Sequence, residues 1–165
     1  MRNWLIALPI AIVGLAAGPV QAAVRVTFVD PAGYRDVDRA GGVQRPDATL
    51  AQIAGYLQRL GRRLPPGQDL DIQILDVNLA GVSAQDLGGV QTSRILNVAS
   101  WPSIRLRYTL RQNGRVVQTA EELVADREYL SRPNIQFAED PLRFEKNMLQ
   151  DWFDARFRLG WKPPA

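Results

Sequence analysis

Cysteine and histidine are both absent from the 165 residues, and each absence removes a block of chemistry. Without histidine the chain has no imidazole base, no imidazole metal ligand and no side chain that titrates near neutrality in its ordinary state. Ser-His-Asp and Cys-His nucleophile systems, His/Cys zinc sites and the two-His-one-carboxylate iron site are therefore excluded. Without cysteine no disulfide staples the fold and no thiol carries a lipid anchor, so stability rests on packing and hydrogen bonding. Lysine is scarce, Lys146 and Lys162 being the only two among 20 basic residues, and both lie in the C-terminal segment. The net charge is only +3, with the arginines scattered among 17 acids, so there is no polybasic stripe of the kind that binds nucleic acid. Clean long apolar runs are missing as well. No stretch after residue 22 approaches the ~20 apolar residues of a spanning helix.

What the chain does have begins at its N-terminus. Arg2 followed by the apolar Trp4–Leu15 stretch and by Val20-Gln21-Ala22 reads as a cleaved export signal, with the cut after Ala22. Pro9, Gly14 and Pro19 interrupt the stretch and argue against an uncleaved anchor. The expected address is the periplasm, with no transmembrane segment left after cleavage. Residues 23–165 are then of single-domain size and large enough for a packed core.

Val24–Val29 is rich in β-branched residues and predicts a strand, ended by Asp30-Pro31. Asp47 predicts a helix N-cap, followed by Leu50, Ile53, Ala54, Leu57, Leu60 and Leu64 in one apolar stripe up to Pro65-Pro66-Gly67. Leu70, Ile72 and Ile74 alternate in a second strand, and the phase then slips to Leu75, Val77 and Leu79, which predicts a bulge or a strand covered on both faces. Ser93–Val98 predicts a short edge strand within an otherwise long loop. Asn113-Gly114 predicts a type I′ hairpin between Ser103–Arg111 and Arg115–Ala125. An uninterrupted register sets Leu110 opposite Val117, Tyr108 opposite Thr119, Leu106 opposite Glu121 and Ile104 opposite Leu123. It faces Glu121 inward and turns Arg105, Arg107 and Arg111 outward, with Arg105 opposite Glu122. Pro141 predicts the first turn of a last helix bearing Leu142, Met148, Leu149, Trp152, Phe153 and Phe157 on one face. The fold class is α+β: a mixed, mostly antiparallel sheet of four to five strands with two helices packed on one face.

Three groups of residues are candidates for function. Glu121 and Glu145, with Arg156 on the same helical face as Glu145, could form a carboxylate pair able to act on a glycosidic bond, or could be border residues that pair with arginine. Asp30, Asp36 and Asp38, or Asp76 and Asn78, could offer oxygen ligands to calcium, but no loop has EF-hand spacing and the acids read as turn caps. No metal and no cofactor are therefore expected. Trp101 and Trp161, with Arg105, Arg107 and Arg111, are the candidates for a ligand or partner surface, whereas Trp152 and Phe153 read as core.

The segments Asp76–Gly81, Trp101–Tyr108 and Phe144–Phe153, with the opening Val24–Asp30, resemble a family of small exported bacterial proteins classed as a domain of unknown function. The resemblance implies a periplasmic single domain and carries no activity, cofactor or catalytic residue; the family's usual Asp in the first segment is Asn78 here. The expected function is a non-catalytic binding or interaction module of the cell envelope, its partner another envelope protein or an anionic envelope polymer. The alternative is a carboxylate-dependent hydrolase acting on an envelope glycan.

Overall fold

A computed structural model describes residues 23–34, 46–83, 94–133, 137 and 139–157. In chain order the elements are β1 (Ala23–Phe28), α1 (Pro46–Gly61), β2 (Gln68–Asn78), β3 (Val82–Ser83), β4 (Arg94–Ile95), β5 (Ser103–Gln112), β6 (Arg115–Ala125) and α2 (Arg143–Phe157). Four strands form one sheet in the order β1-β2-β5-β6. β1 runs parallel to β2, so α1 serves as the crossover, while β2, β5 and β6 are mutually antiparallel. Both helices cover the same face, making the two-layer α+β arrangement that the alternation and helical stripes imply.

The core lies between the layers. Leu50, Ile53, Leu57 and Leu60 of α1 and Leu149, Trp152, Phe153 and Phe157 of α2 meet Leu70, Ile72 and Ile74 of β2 and Ile104, Leu106 and Tyr108 of β5. Each such side chain stabilises the fold by roughly 1.5–3 kcal/mol on burial, which is how a chain without disulfides meets its ordering entropy. At the end of α1 the helix nearly touches the sheet: a Cβ on Gly61 would sit 1.9 Å from Val24 Cγ2, so only glycine permits the approach. α1 itself begins at Pro46, one residue before the expected cap, with proline suited to a first helical turn. The Asp47 side chain lies outside the described residues.

The phase slip in β2 is a bulge. The register shifts between Ile74 and Asp76, and the extra residue returns Val77 to the interior. A second bulge, in β6, corrects the hairpin register. Gln112 pairs with Arg115 as Asn113-Gly114 requires, both turn residues having positive φ. Between Leu110 and Arg111 the pairing then shifts by one, so that Leu110 faces Gln118, Tyr108 faces Ala120, Leu106 faces Glu122 and Arg105 faces Leu123. A one-residue slip exchanges the faces of everything beyond it. Glu122, not Glu121, is thereby brought under α2, and Val117 and Leu123 turn outward.

Two further corrections concern the ends of elements. The strand within Ser93–Val98 is β4, which pairs with β3 in a separate two-stranded ribbon and not at the edge of the main sheet. Pro141 stands in a turn ahead of α2, and Asp140 anchors the helix: its Oδ1 accepts the Leu142 N–H at 2.8 Å and its Oδ2 pairs with the buried Lys146.

All four tyrosines are buried. Burial pushes each hydroxyl above its ordinary value, that of Tyr56 to about 12. A group whose pKa is raised by folding supports stability fully below its unfolded pKa and loses that support as pH rises through the folded one. With no histidine to titrate near neutrality, the melting temperature should be level through neutral pH and fall as pH rises from about 10 toward 12. Thermal melts across that range, followed alongside phenolate absorbance, check this. A fall centred near pH 7 would contradict it.

Candidate functional site

The sheet face opposite the helices is covered by no element among the described residues. It is built in rows, because strand registers place outward residues side by side. One row runs Arg25, Asp71, Thr109, Thr119, and the next Thr27, Gln73, Arg107, Glu121. Arg111 lies beside Asp69, and Arg105 stands between Asp76 and Leu123. Within the rows Arg107 Nη2 contacts Glu121 Oε2 at 2.8 Å, Arg111 pairs with Asp71, and Arg25 lies 4.0 Å from the same Asp71 carboxylate. Arg25 is 80% exposed at its side chain, and Arg105, Gln73 and Thr119 are exposed as well. Exposed ion pairs of this kind contribute little to stability, typically ~0–1 kcal/mol each. What the face offers is guanidinium, carboxylate and hydroxyl groups spaced by strand geometry.

Glu121 belongs to this open face, and Glu145 lies on the other side of the sheet at 2% exposure. The β6 bulge separates the two carboxylates that an uninterrupted register would have placed in one cleft. Glu145 Oε1 accepts the Ala80 N–H at 2.8 Å. From the neighbouring ribbon Arg94 donates to the carbonyls of Leu79, Ala80 and Gly81 at 3.2, 2.8 and 2.6 Å. Tyr129 adds a third tie, its hydroxyl donating to Asn97 O at 2.8 Å and accepting the Asn97 N–H at 3.1 Å. Burial, with the Glu145 charge adding to it, raises the Tyr129 hydroxyl, although the Asn97 bond and the Arg94 charge act the other way. This buried group clamps the irregular backbone after β2 to α2, a structural task that leaves Glu145 without access to a large substrate.

Glu122 was hidden from the uninterrupted register. Trp152 Nε1 donates to its Oε2 at 3.0 Å, Arg156 Nε lies 3.0 Å from both oxygens, and the Tyr108 hydroxyl donates to Oε1 at 3.4 Å while accepting from Gln118 Nε2 at 2.7 Å. Arg156 therefore pairs with Glu122, an acid outside the expected carboxylate pair of Glu121 and Glu145. The sequence sign available was that Glu122 precedes an apolar residue of the inner series, Val124, by two; only the bulge makes that sign decisive.

Trp101 is half-buried, with the Arg127 guanidinium 5.0 Å above its ring and its carbonyl accepting from Asn78 Nδ2 at 2.8 Å. An aspartate at position 78 could not donate that bond, so the Asn78 amide has a local structural role. Trp161, Asp36, Asp38 and the first 22 residues lie outside the described residues. Among the described residues no group of three or more acids could hold a metal ion, and no helix is long and apolar enough to cross a membrane.

A family model described as "Protein of unknown function (DUF3016)" matches residues 22–155, and the chain belongs to that family. No curated protein matches the chain.

Proposed function

We propose that the chain is an exported, non-catalytic binding module of the cell envelope, whose working surface is the open face of the main sheet. The observation that carries this reading is that no described element covers the face, which bears Arg25, Arg105, Arg107 and Arg111 in alternation with Asp69, Asp71, Asp76 and Glu121. Mixed charge of this kind favours a protein partner of complementary pattern over a uniformly anionic polymer, which a one-signed field would serve better. Export is supported by the Arg2, apolar and Val20-Gln21-Ala22 sequence. The hydrolase alternative has weaker support, since its two carboxylates occupy opposite faces.

The test is cross-linked capture from intact envelopes of a Gram-negative cell expressing the full chain. A defined protein partner should be recovered, the captured chain should start at Ala23, and Arg105→Glu with Arg107→Glu should abolish capture without lowering the melting temperature by more than a few degrees. Recovery of glycan fragments instead of a protein, or capture indifferent to both reversals, would overturn the reading.

A further inference from the structure

Among the described residues β6 is an edge of the sheet with no neighbour on its outer side, and it leaves apolar side chains in solvent. The β6 bulge sends Gln118, Ala120 and Glu122 toward the helices and leaves Val116 at 58%, Val117 at 56% and Leu123 at 58% exposure. The strand is 11 residues long and contains no proline and no lysine, the residues with which solvent-facing edges are commonly blunted. The opposite edge, β1, is short at 6 residues, carries the exposed Arg25 and runs into Pro31.

We infer that β6 pairs antiparallel with β6 of a second copy of this chain about a two-fold axis at Ala120, making one continuous eight-stranded sheet. Opposed residues must share a face, so only registers centred on a residue are open. Centred on Ala120, the pairing takes in Val117–Leu123, the stretch of β6 that follows the bulge. Val117 then meets the partner's Leu123, Thr119 the partner's Glu121 and Gln118 the partner's Glu122, so Val117 and Leu123 are covered, Val116 lies beyond the paired stretch, and each carboxylate faces a hydrogen-bonding group. Centring on Glu121 or Glu122 sets a carboxylate against its own copy. Centring on Thr119 sets Val117 against Glu121, and centring on Gln118 leaves Leu123 outside the pairing. A two-fold contact closes on itself, so assembly stops at two chains. This inference goes beyond the binding role and stands apart from it: the open face is doubled in width, and none of the four arginines is consumed.

Sedimentation of the protein purified after expression of the full chain tests it by charge swap at Val117 and Leu123. The wild type should sediment as a dimer. Val117→Lys with Leu123→Lys, and separately Val117→Glu with Leu123→Glu, should each halve the sedimenting mass while keeping a cooperative melt, since both positions are exposed. Mixing the two variants should restore the dimer, because each lysine then faces a glutamate. A wild type that is monomeric at every concentration, a dimer that survives both single-sign variants, a mixture that stays monomeric, or growth beyond two chains would overturn the inference. Should one variant fail to melt cooperatively, the other paired with the wild type decides: a dimer that includes it contradicts the register.

Discussion

Trp152→Ala is expected to remove about 3–5 kcal/mol of stability, a large share of a domain's whole margin of about 5–15 kcal/mol, and so to lower the melting temperature steeply. The ring is buried and meets Tyr108, Phe153 and Phe157 with centroids 5.8, 6.3 and 5.4 Å away, edge-on in each case. Truncation leaves a cavity at the junction of α2 with β5. It also withdraws the Nε1 donor from Glu122, a carboxylate already held away from most of the solvent. Denaturant titration with calorimetry is the check. A loss under about 1 kcal/mol would mean that α2 does not pack as described.

The second large effect is at Glu145. Replacement by alanine deletes the acceptor of the buried Ala80 N–H and opens a void between α2 and the backbone after β2, for an expected cost of roughly 3 kcal/mol or more. Glu145→Gln should cost only about 1 kcal/mol, because an amide oxygen can take the place of Oε1. The contrast separates a clamp from a catalytic acid: if the glutamine variant proves more stable than the wild type, Glu145 is a strained functional group and the clamp account fails.

Much of this architecture is legible in the residues, and the part that is not has a single physical origin. The stripe from Leu50 to Leu64, the alternation of Leu70, Ile72 and Ile74, the slip at Leu75 and the Asn113-Gly114 turn each report a local preference, and local preferences can be read in order along the chain. The register of β6 cannot be read in this way. Apolar content favours turning Val117 and Leu123 inward, and the fold turns Gln118 and Glu122 inward instead, where Tyr108, Trp152 and Arg156 supply hydrogen-bonding partners. Trp152 and Glu122 are 30 residues apart, and that long-range partnership is invisible to a pattern taken one strand at a time. The same limit hid the tie between Glu145 and Ala80 across 65 residues. Its apolar-stripe position on α2 was readable, but the backbone N–H that it serves was not.

The claim that unites the account is that the sheet's open face, and not the helical face, meets the partner. A photo-reactive side chain placed at Gln73, exposed in the centre of the open face, and in a second variant at Gln58, exposed on α1, asks this directly in intact cells. The account predicts a discrete protein adduct from position 73 and none from position 58; an adduct from position 58 alone would contradict it.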